Sequence, residues 1–199
     1  MNAVIAAPPV GGHLVGLELE RWDLPATSEE RTVLDDVEGP VVDLGYGPGR
    51  LVVERAARRV PALGVDSSPD AVALARRRGA GVVQRDLFGR LPGEGRWATA
   101  LLFDGNVGIG GGPVCLLCRG RRRVRPRGHD DHGGRTARSR VAARLAVAGD
   151  RRAPSAELPW AVVGADAVGG LATTAGFELM SLDETISGRW FARLRGVPA

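Results

Sequence analysis

The sequence predicts a single α/β domain built on a Rossmann-like, doubly wound and mostly parallel sheet. Three observations carry this prediction: short apolar runs alternate with helical patterns from residue 28 to residue 103, the first run stops at a cluster of glycines, and the next runs stop at aspartates. Buried parallel strands that end at a ligand crevice have this pattern. The 199 residues, 44% of them hydrophobic, suit one domain with a core of moderate size.

The predicted elements can be placed in order along the chain. Residues 28–37 combine an N-cap candidate, early acidic residues and helical apolar spacing, and residues 69–78 follow the capping residue Ser68 with a proline in first position. Helices are predicted over residues 28–37, 50–59, 69–78 and roughly 163–175, and strands over 40–44, 61–65, 81–85, 97–103, 177–185 and 189–194. The short link 186–188 predicts that the last two strands form an antiparallel hairpin.

One interruption of this pattern divides the domain into four parts. We expect an N-terminal segment (1–27), a cofactor-binding half (28–117), an irregular arginine-rich segment (118–157), and a C-terminal helix and hairpin (158–199). No buried strand pattern is visible within about 119–157.

Positive charge is concentrated in the arginine-rich segment. Residues 119–152 hold 12 arginines and 3 aspartates, whereas the rest of the chain holds 15 arginines and 20 acidic residues, with no lysine anywhere. The net charge of +4 therefore describes one segment, and nucleic acid is not a predicted partner of the domain.

Targeting signals and cysteine content indicate the cellular compartment in which the protein is expected. No apolar run approaches the roughly 20 residues of a membrane span, and the start of the chain lacks the pattern of a secretory signal. Cys115 and Cys118 are the only cysteines, too few for a disulfide framework. We predict a cytoplasmic protein without a membrane partner; its oligomeric state is not predicted.

The arginine-rich segment allows three interpretations. Its arginine forks could hold the phosphates of RNA or DNA, but no aromatic residue interleaves with them. Cys115 and Cys118 with His129 and His132 suggest zinc, but their spacing misses that of the C2H2 finger, so no metal site is predicted. The third interpretation is a frame-shifted translation between two compensating indels. Codons for residues 125–131 can be chosen so that the next frame encodes Ala-Pro-Gly-Gly-Thr-Met-Ile, the turn and strand start that are missing.

The glycine cluster after the first strand is the most informative motif. It reads VDLGYGPGR, a D-x-G-x-G-x-G pattern whose glycines let the backbone approach a ligand at a helix N-terminus. The dinucleotide fingerprint G-x-G-x-x-G fails, because Arg50 stands where its third glycine would permit close packing. Asp43 would repel a pyrophosphate and suits a cofactor that carries an ammonium group.

Five stretches carry a resemblance to a known family. VVDLGYGPGR resembles the first motif of the class I S-adenosylmethionine-dependent methyltransferases, LGVDSSPDAVALARRRG their second strand and helix, and VVQRDLF their third strand. ALLFDGNVGIGG resembles the fourth strand of a bacterial subgroup with a DGNxGIGG motif, and the stretch from PWAVVG to RWFARL resembles the C-terminal half. The resemblance covers about residues 28–117 and 159–194, and it implies a Pro-Gly-Gly turn and a fifth strand within about 119–157.

This resemblance implies S-adenosylmethionine as the cofactor. It implies that the methionine end lies against Asp43, Gly45, Gly47 and Gly49, the ribose against Asp66, the adenine against Asp86 and Leu87, and the donor methyl and its acceptor near Asp104 and Asn106. Ser67 and Tyr46 complete the predicted site. Small residues or cysteine are common at the position of Tyr46, so we expect its ring to crowd or cover the cofactor.

The predicted function is transfer of a methyl group to an unidentified acceptor, which we expect to be a small molecule. Such a displacement needs alignment and exclusion of water more than acid–base chemistry, and no catalytic residue is predicted. Each aspartate has a structural alternative, since aspartate after a strand often caps the next helix or binds loop amides. Two other functions stay open: a catalytically inactive or regulatory cofactor-binding protein of the same fold, and an NAD(P)-binding oxidoreductase, which Arg50 disfavours.

Overall fold

The fold is described by a computed structural model that covers residues 2–7, 24–123, 141–143, 161 and 163–197. The strands are β1 (Asn2–Ala7), β2 (Val41–Leu44), β3 (Ala62–Asp66), β4 (Val82–Gln84), β5 (Thr99–Leu102), β6 (Val141–Ala143), β7 (Phe177–Glu184) and β8 (Trp190–Gly196). The α-helices are α1 (Ser28–Asp35), α2 (Arg50–Ala57), α3 (Pro69–Arg77), α4 (Pro113–Arg123) and α5 (Val168–Thr174). Short 3-10 helices cover Asn106–Gly108 and Ala165–Ala167.

Local capping fixes the starts of two helices. At α1, Thr27 Oγ1 accepts the backbone N–H of Glu30, and the Glu30 carboxylate accepts the N–H of Thr27, which is a complete capping box. At α3, the hydroxyl of Ser68 accepts the N–H of Ala71, as the sequence predicts. The cap of α1 is therefore one residue earlier than the predicted helix start.

All eight strands form one sheet in the order β4-β3-β2-β5-β1-β6-β8-β7. Strands β4, β3, β2, β5 and β1 run parallel to one another, and β7 and β8 form an antiparallel hairpin. The predicted Rossmann-like sheet and C-terminal hairpin are thus confirmed. The carboxyl ends of β2 to β5 meet at one edge of the sheet.

The N-terminal strand is one of the elements that the sequence did not predict. β1 is parallel to β5, with Ile5 opposite Leu102, and antiparallel to β8, with Val4 opposite Arg193. It therefore occupies the inner position in which a fifth strand from residues 119–157 was expected. The short strand β6 comes from that expected region and pairs with the same part of β8, since Ala142 is also opposite Arg193.

The regular structure continues into the arginine-rich segment. Helix α4 extends to Arg123, and its arginines contact the domain: Arg119 donates to the carbonyl of Gly89 and Arg121 to the carbonyl of Val197. His129 and His132, like residues 144–159, lie outside the described residues.

Two apolar layers cover the faces of the sheet. Because successive strand residues point to opposite faces, Val41 packs with Leu34 of α1 on one face, whereas Val42 packs with Leu116 of α4 on the other. All four residues are buried. These layers hold the strand ends, and the loops that follow them, in fixed positions.

Candidate functional site

A cavity of about 630 Å³ lies at the carboxyl ends of β2, β3, β4 and β5. Its volume is within the range of small-molecule sites, and its position is the one expected for ligands of open α/β sheets. The lining residues are Gly45, Tyr46, Gly47, Pro48, Arg50, Asp66, Ser67, Ser68, Asp70, Ala71, Leu74, Asp86, Leu87, Phe88, Asp104, Asn106, Ile109 and Gly110. Nine of the eleven predicted site residues are among them; Asp43 and Gly49 are not.

The glycine loop that follows β2 forms the floor of the cavity. The N–H of Gly45 donates to the carbonyl of Val65, which fastens the loop to β3. Gly45 has a φ of +75°, and a Cβ there would lie 2.9 Å from Nδ2 of Asn106 and 2.7 Å from Cδ1 of Ile109. Only glycine fits this position without strain, because both the backbone conformation and the space exclude a side chain.

Asp66 ends β3 and binds two loop amides. Its Oδ2 accepts the N–H of Gly47 at 3.1 Å and its Oδ1 accepts the N–H of Ser68 at 2.9 Å. Partial burial raises the pKa of Asp66, although these hydrogen bonds oppose the shift. The structural role that the sequence left open is therefore present, and each oxygen retains a lone pair that can accept a ligand hydroxyl.

The turn after β4 forms the opposite wall. Oδ1 of Asp86 accepts the N–H of Phe88 at 2.9 Å, so this carboxylate organises the turn while it stays exposed. Leu87 is buried, and the ring of Phe88 lies so close to Gly110 that a Cβ there would be 2.5 Å from it. An apolar surface next to a carboxylate suits a planar base with an amino group.

The loop after β5 brings Asp104 and Asn106 to the cavity. Asp104 has a φ of +57°, in the left-handed region that aspartate tolerates better than most residues. Nδ2 of Asn106 donates to the carbonyls of Leu44 and Gly45, so the amide ties this loop to the end of β2. Asn106 therefore lies beside the first glycine of the loop, and Asp104 lines the same cavity.

Arg50, the first residue of α2, is one of four charged side chains that are linked by hydrogen bonds. Its Nε and Nη2 donate to both oxygens of Glu30, at 3.1 and 2.8 Å, and Nη2 also donates to Oδ2 of Asp104 at 2.5 Å. Arg189 Nη2 donates to the same Glu30 oxygen at 2.7 Å. Burial opposes ionisation of Glu30, but the hydrogen bonds and charges of Arg50 and Arg189 outweigh it and hold the pKa of Glu30 well below its usual range. We call these residues the charge cluster: Glu30, Arg50, Asp104 and Arg189.

Asp43 is buried beneath the glycine loop instead of lining the cavity. It is 1% exposed, and neither carboxylate oxygen has a hydrogen-bond partner among the described residues. Complete burial raises the pKa of Asp43 to about 8, and the neighbouring acids add to the shift while Arg50 opposes it. Gly49 is also behind the wall, where a Cβ would lie 2.9 Å from that of Ala75.

The ring of Tyr46 points away from the ligand space, contrary to our expectation. It is 4% exposed, and it packs with Val52 and Val72 beneath α2 and α3. A Cβ on Gly64 would lie 2.6 Å from the ring, so this strand glycine provides the space for it. The bulk that predicted crowding of the cavity is accommodated in the core.

Sequence reasoning missed part of the lining. Arg50 was considered only because it breaks the dinucleotide fingerprint G-x-G-x-x-G. The helix prediction covered Asp70, Ala71 and Leu74 but did not indicate that they face a ligand site. Their spacing of one, three and four residues could have indicated a common face of α3. Phe88 and Ile109 gave no signal, because apolar residues in loops are also used for core packing.

The described part of the chain has neither a metal-ligand cluster nor a helix that could span a membrane. No group of three or more histidine, cysteine, aspartate or glutamate side chains is placed to hold a metal ion. None of the helices described is long and apolar enough to cross a membrane.

The chain shares its fold with solved structures of S-adenosylmethionine-dependent methyltransferases. The glycopeptide N-methyltransferase MtfA with bound S-adenosylmethionine is 17% identical; the match covers 87% of this chain and 95% of that one, with a TM-score of 0.60. A methyltransferase from Aquifex aeolicus is 14% identical, covering 90% and 97%, with a TM-score of 0.63.

A third similar structure is a methyltransferase from Bacteroides fragilis in complex with S-adenosyl-L-homocysteine. It is 19% identical, the match covers 98% of this chain and 87% of that one, and the TM-score is 0.63. No protein-family model matches the sequence, and no curated protein matches it. Identities this low establish a common fold and leave the activity of this chain open.

Proposed function

We propose that this protein transfers a methyl group from S-adenosylmethionine to a small-molecule acceptor. The observation that carries the proposal is the cavity at the carboxyl ends of β2 to β5, bounded by a glycine loop and by Asp66, Asp86 and Asp104. Of the described lining residues, one is a cation, Arg50, and it is already paired with two carboxylates. This charge balance disfavours a pyrophosphate, and therefore NAD(P).

The lining residues fit the chemical groups of the proposed cofactor. Asp66 has lone pairs left for ribose hydroxyls, the exposed Asp86 carboxylate beside Leu87 suits an amino-bearing base, and the loop from Gly45 would hold the methionine end. The two oxygens of Asp43, which have no hydrogen-bond partner among the described residues, lie beneath that loop, and a cation bound nearby would favour the ionised form of this carboxyl.

When bound, this cofactor supplies an electrophilic methyl group on a sulfonium. The residues of this chain contribute binding, orientation and exclusion of water, which are the main requirements of an in-line displacement. The carboxylate of Asp104 is hydrogen-bonded to a guanidinium, so it is better suited to a fixed charge than to proton transfer. We assign no catalytic acid or base.

Calorimetric titration with S-adenosylmethionine and with NADH tests this proposal. We expect binding of S-adenosylmethionine to the full chain, with affinity reduced about tenfold or more in Asp66→Asn, because a charged hydrogen bond contributes roughly 1.5–3 kcal/mol. Asp183→Asn is the matched control, since Asp183 is exposed on β7 and bonds only Ser181 among the described contacts. Binding of NADH alone would support the oxidoreductase, and binding of neither would support an inactive fold.

Three finer expectations remain proposals. We propose that the chain works in the cytoplasm, on its cysteine content, and that its sequence belongs near the bacterial subgroup with the DGNxGIGG motif. We also keep the proposal that residues from about 119 to 157 arise from a frame shift. Contacts of Arg119 and Arg121 with the domain would then be fortuitous, and an unbroken frame in the resequenced gene would refute it.

A further inference from the structure

The charge cluster contains an ion pair, Arg50 with Asp104, whose effect on ligand binding can be separated from its structural role. Arg50 is 7% exposed and Asp104 8%, and both line the cavity. The pair is held from three sides, because Glu30 comes from the capping box of α1, Arg50 from the start of α2, and Asp104 from the loop after β5.

The cluster is electrically balanced as a set. Among its four members, two carboxylates, Glu30 and Asp104, face two guanidiniums, Arg50 and Arg189. Outside these four, Arg189 also reaches the more exposed Glu29 at 3.8 Å. A buried network of this kind exposes little net charge to the cavity, even though an acidic side chain lines it. Removal of one member therefore changes the charge at that end of the cavity by a full unit in a region of low solvent access.

We infer that Arg50 is a specificity-determining residue, which sets through Asp104 the preference of the site for a sulfonium cofactor over its neutral thioether product. The inference rests on the proposed function, which puts the methionine end of the cofactor beside Gly45 and Asp104. S-adenosylmethionine and S-adenosylhomocysteine differ in one methyl group and one positive charge. Their affinity ratio therefore reports the charge at that end, whereas contacts with ribose, adenine and amino acid cancel.

Two substitutions that break the same ion pair must then act in opposite directions. Asp104→Asn leaves the cluster with an excess positive charge, and we expect the preference for S-adenosylmethionine to fall about three- to tenfold. Arg50→Met leaves an excess negative charge, and we expect the preference to rise by a similar factor. Both dissociation constants are measured by calorimetry at one pH and one salt concentration.

Three further variants keep the test decisive. The double variant R50M/D104N restores the charge balance and should return the ratio close to that of the wild type, and Arg50→Lys should keep it. Arg55→Met is the control, because Arg55 is buried on the same helix but donates to the carbonyls of Leu34 and Val37 away from the cavity. It should lower stability without changing the ratio.

The outcomes are distinct. Opposite shifts in the two single variants support the inference; should Arg50→Met not fold, a lowered ratio in Asp104→Asn that recovers in R50M/D104N supports it. Shifts in the same direction, an unchanged ratio, or an equal loss of affinity for both ligands would overturn it, since Arg50 would then be structural or would bind the shared amino-acid moiety. Absence of binding in the wild type would instead refute the proposed function itself.

Discussion

At the scale of single residues, the site depends on side chains whose environment differs from that of a surface loop. Asp43 is the clearest case, because its carboxylate is enclosed without a hydrogen-bond partner in the described residues. Gly45 is a second case, because its neighbours occupy the space of a side chain. Each leads to a measurable consequence.

The buried carboxyl of Asp43 should make stability depend on pH. Its pKa is about 8 in the folded protein against 3.8 in the unfolded chain, so the folded form retains a proton that the unfolded form releases. The stabilisation is complete below about pH 4 and is lost as the pH rises through 8. Relative to Asp43→Asn, the wild type should lose up to about 1.4 kcal/mol per pH unit within this window.

Chemical denaturation of both proteins from pH 5 to pH 9 measures this difference. Substitution by asparagine keeps the size of the side chain and removes its titration, so the remaining groups contribute equally to both curves. Parallel curves for the wild type and Asp43→Asn would contradict the prediction.

Gly45→Ala should lower the free energy of unfolding by more than the strained backbone conformation alone explains. Gly79 is the matched control, because its φ of +76° equals that of Gly45 while nothing lies within 4 Å of its Cβ position. We expect Gly79→Ala to lose about 1 kcal/mol of unfolding free energy, and Gly45→Ala to lose about 2–4 kcal/mol together with most cofactor affinity. Equal losses in the two variants, measured by denaturation, would show that the contacts with Asn106 and Ile109 relax freely.

At the scale of elements, the N-terminal strand closes the sheet. β1 pairs with β5 on one side and with β6 and β8 on the other, so it joins the parallel part of the sheet to the hairpin. Its sequence, NAVIAA, contains a short β-branched run that is followed by two prolines, which is a weak local indication of a strand. No local feature could show that the run enters the middle of the sheet.

Deletion of residues 1–7 should therefore destabilise the protein strongly. The unpaired edges of β5 and β8 lose backbone partners, and each buried unpaired group costs roughly 1–3 kcal/mol. We expect a loss of at least about 3 kcal/mol in thermal or chemical denaturation, with partial recovery when a peptide of residues 1–7 is added. Removal of the last two residues, which follow β8, is the control. Full stability after the deletion would mean that β6 fills the position alone.

At the scale of the whole molecule, ion pairs join parts of the chain that are distant in sequence. Ser187, in the turn of the hairpin, donates to the carboxylate of Glu29, and Arg189 reaches Glu30 across 159 positions. The first helix, the hairpin and the cavity thus share one charge cluster. The arginines of this cluster are unrelated to the dense group at residues 119–152 that dominates the net charge.

The sequence by itself determined the class of fold and the edge of the sheet where the site lies. Strand and helix periodicities, glycines after the first strand and aspartates after the next ones are local signals, and they predicted β2 to β5 and the hairpin. The family resemblance, in addition, implied nine residues that line the cavity. Such signals suffice because each depends on neighbours a few positions away.

Only the tertiary structure decided which strand fills the sheet beside β5, where the ring of Tyr46 lies, and what Arg50 binds. β1 comes from the other end of the chain, the Tyr46 ring lies over a glycine of the next strand, and Arg50 pairs with residues 20 and 54 positions away. These outcomes depend on which distant surfaces meet, and on the cost of leaving a backbone edge or a charge unpaired when they do. No local pattern in the sequence indicates the free energy that is lost when such an edge or charge stays unpaired.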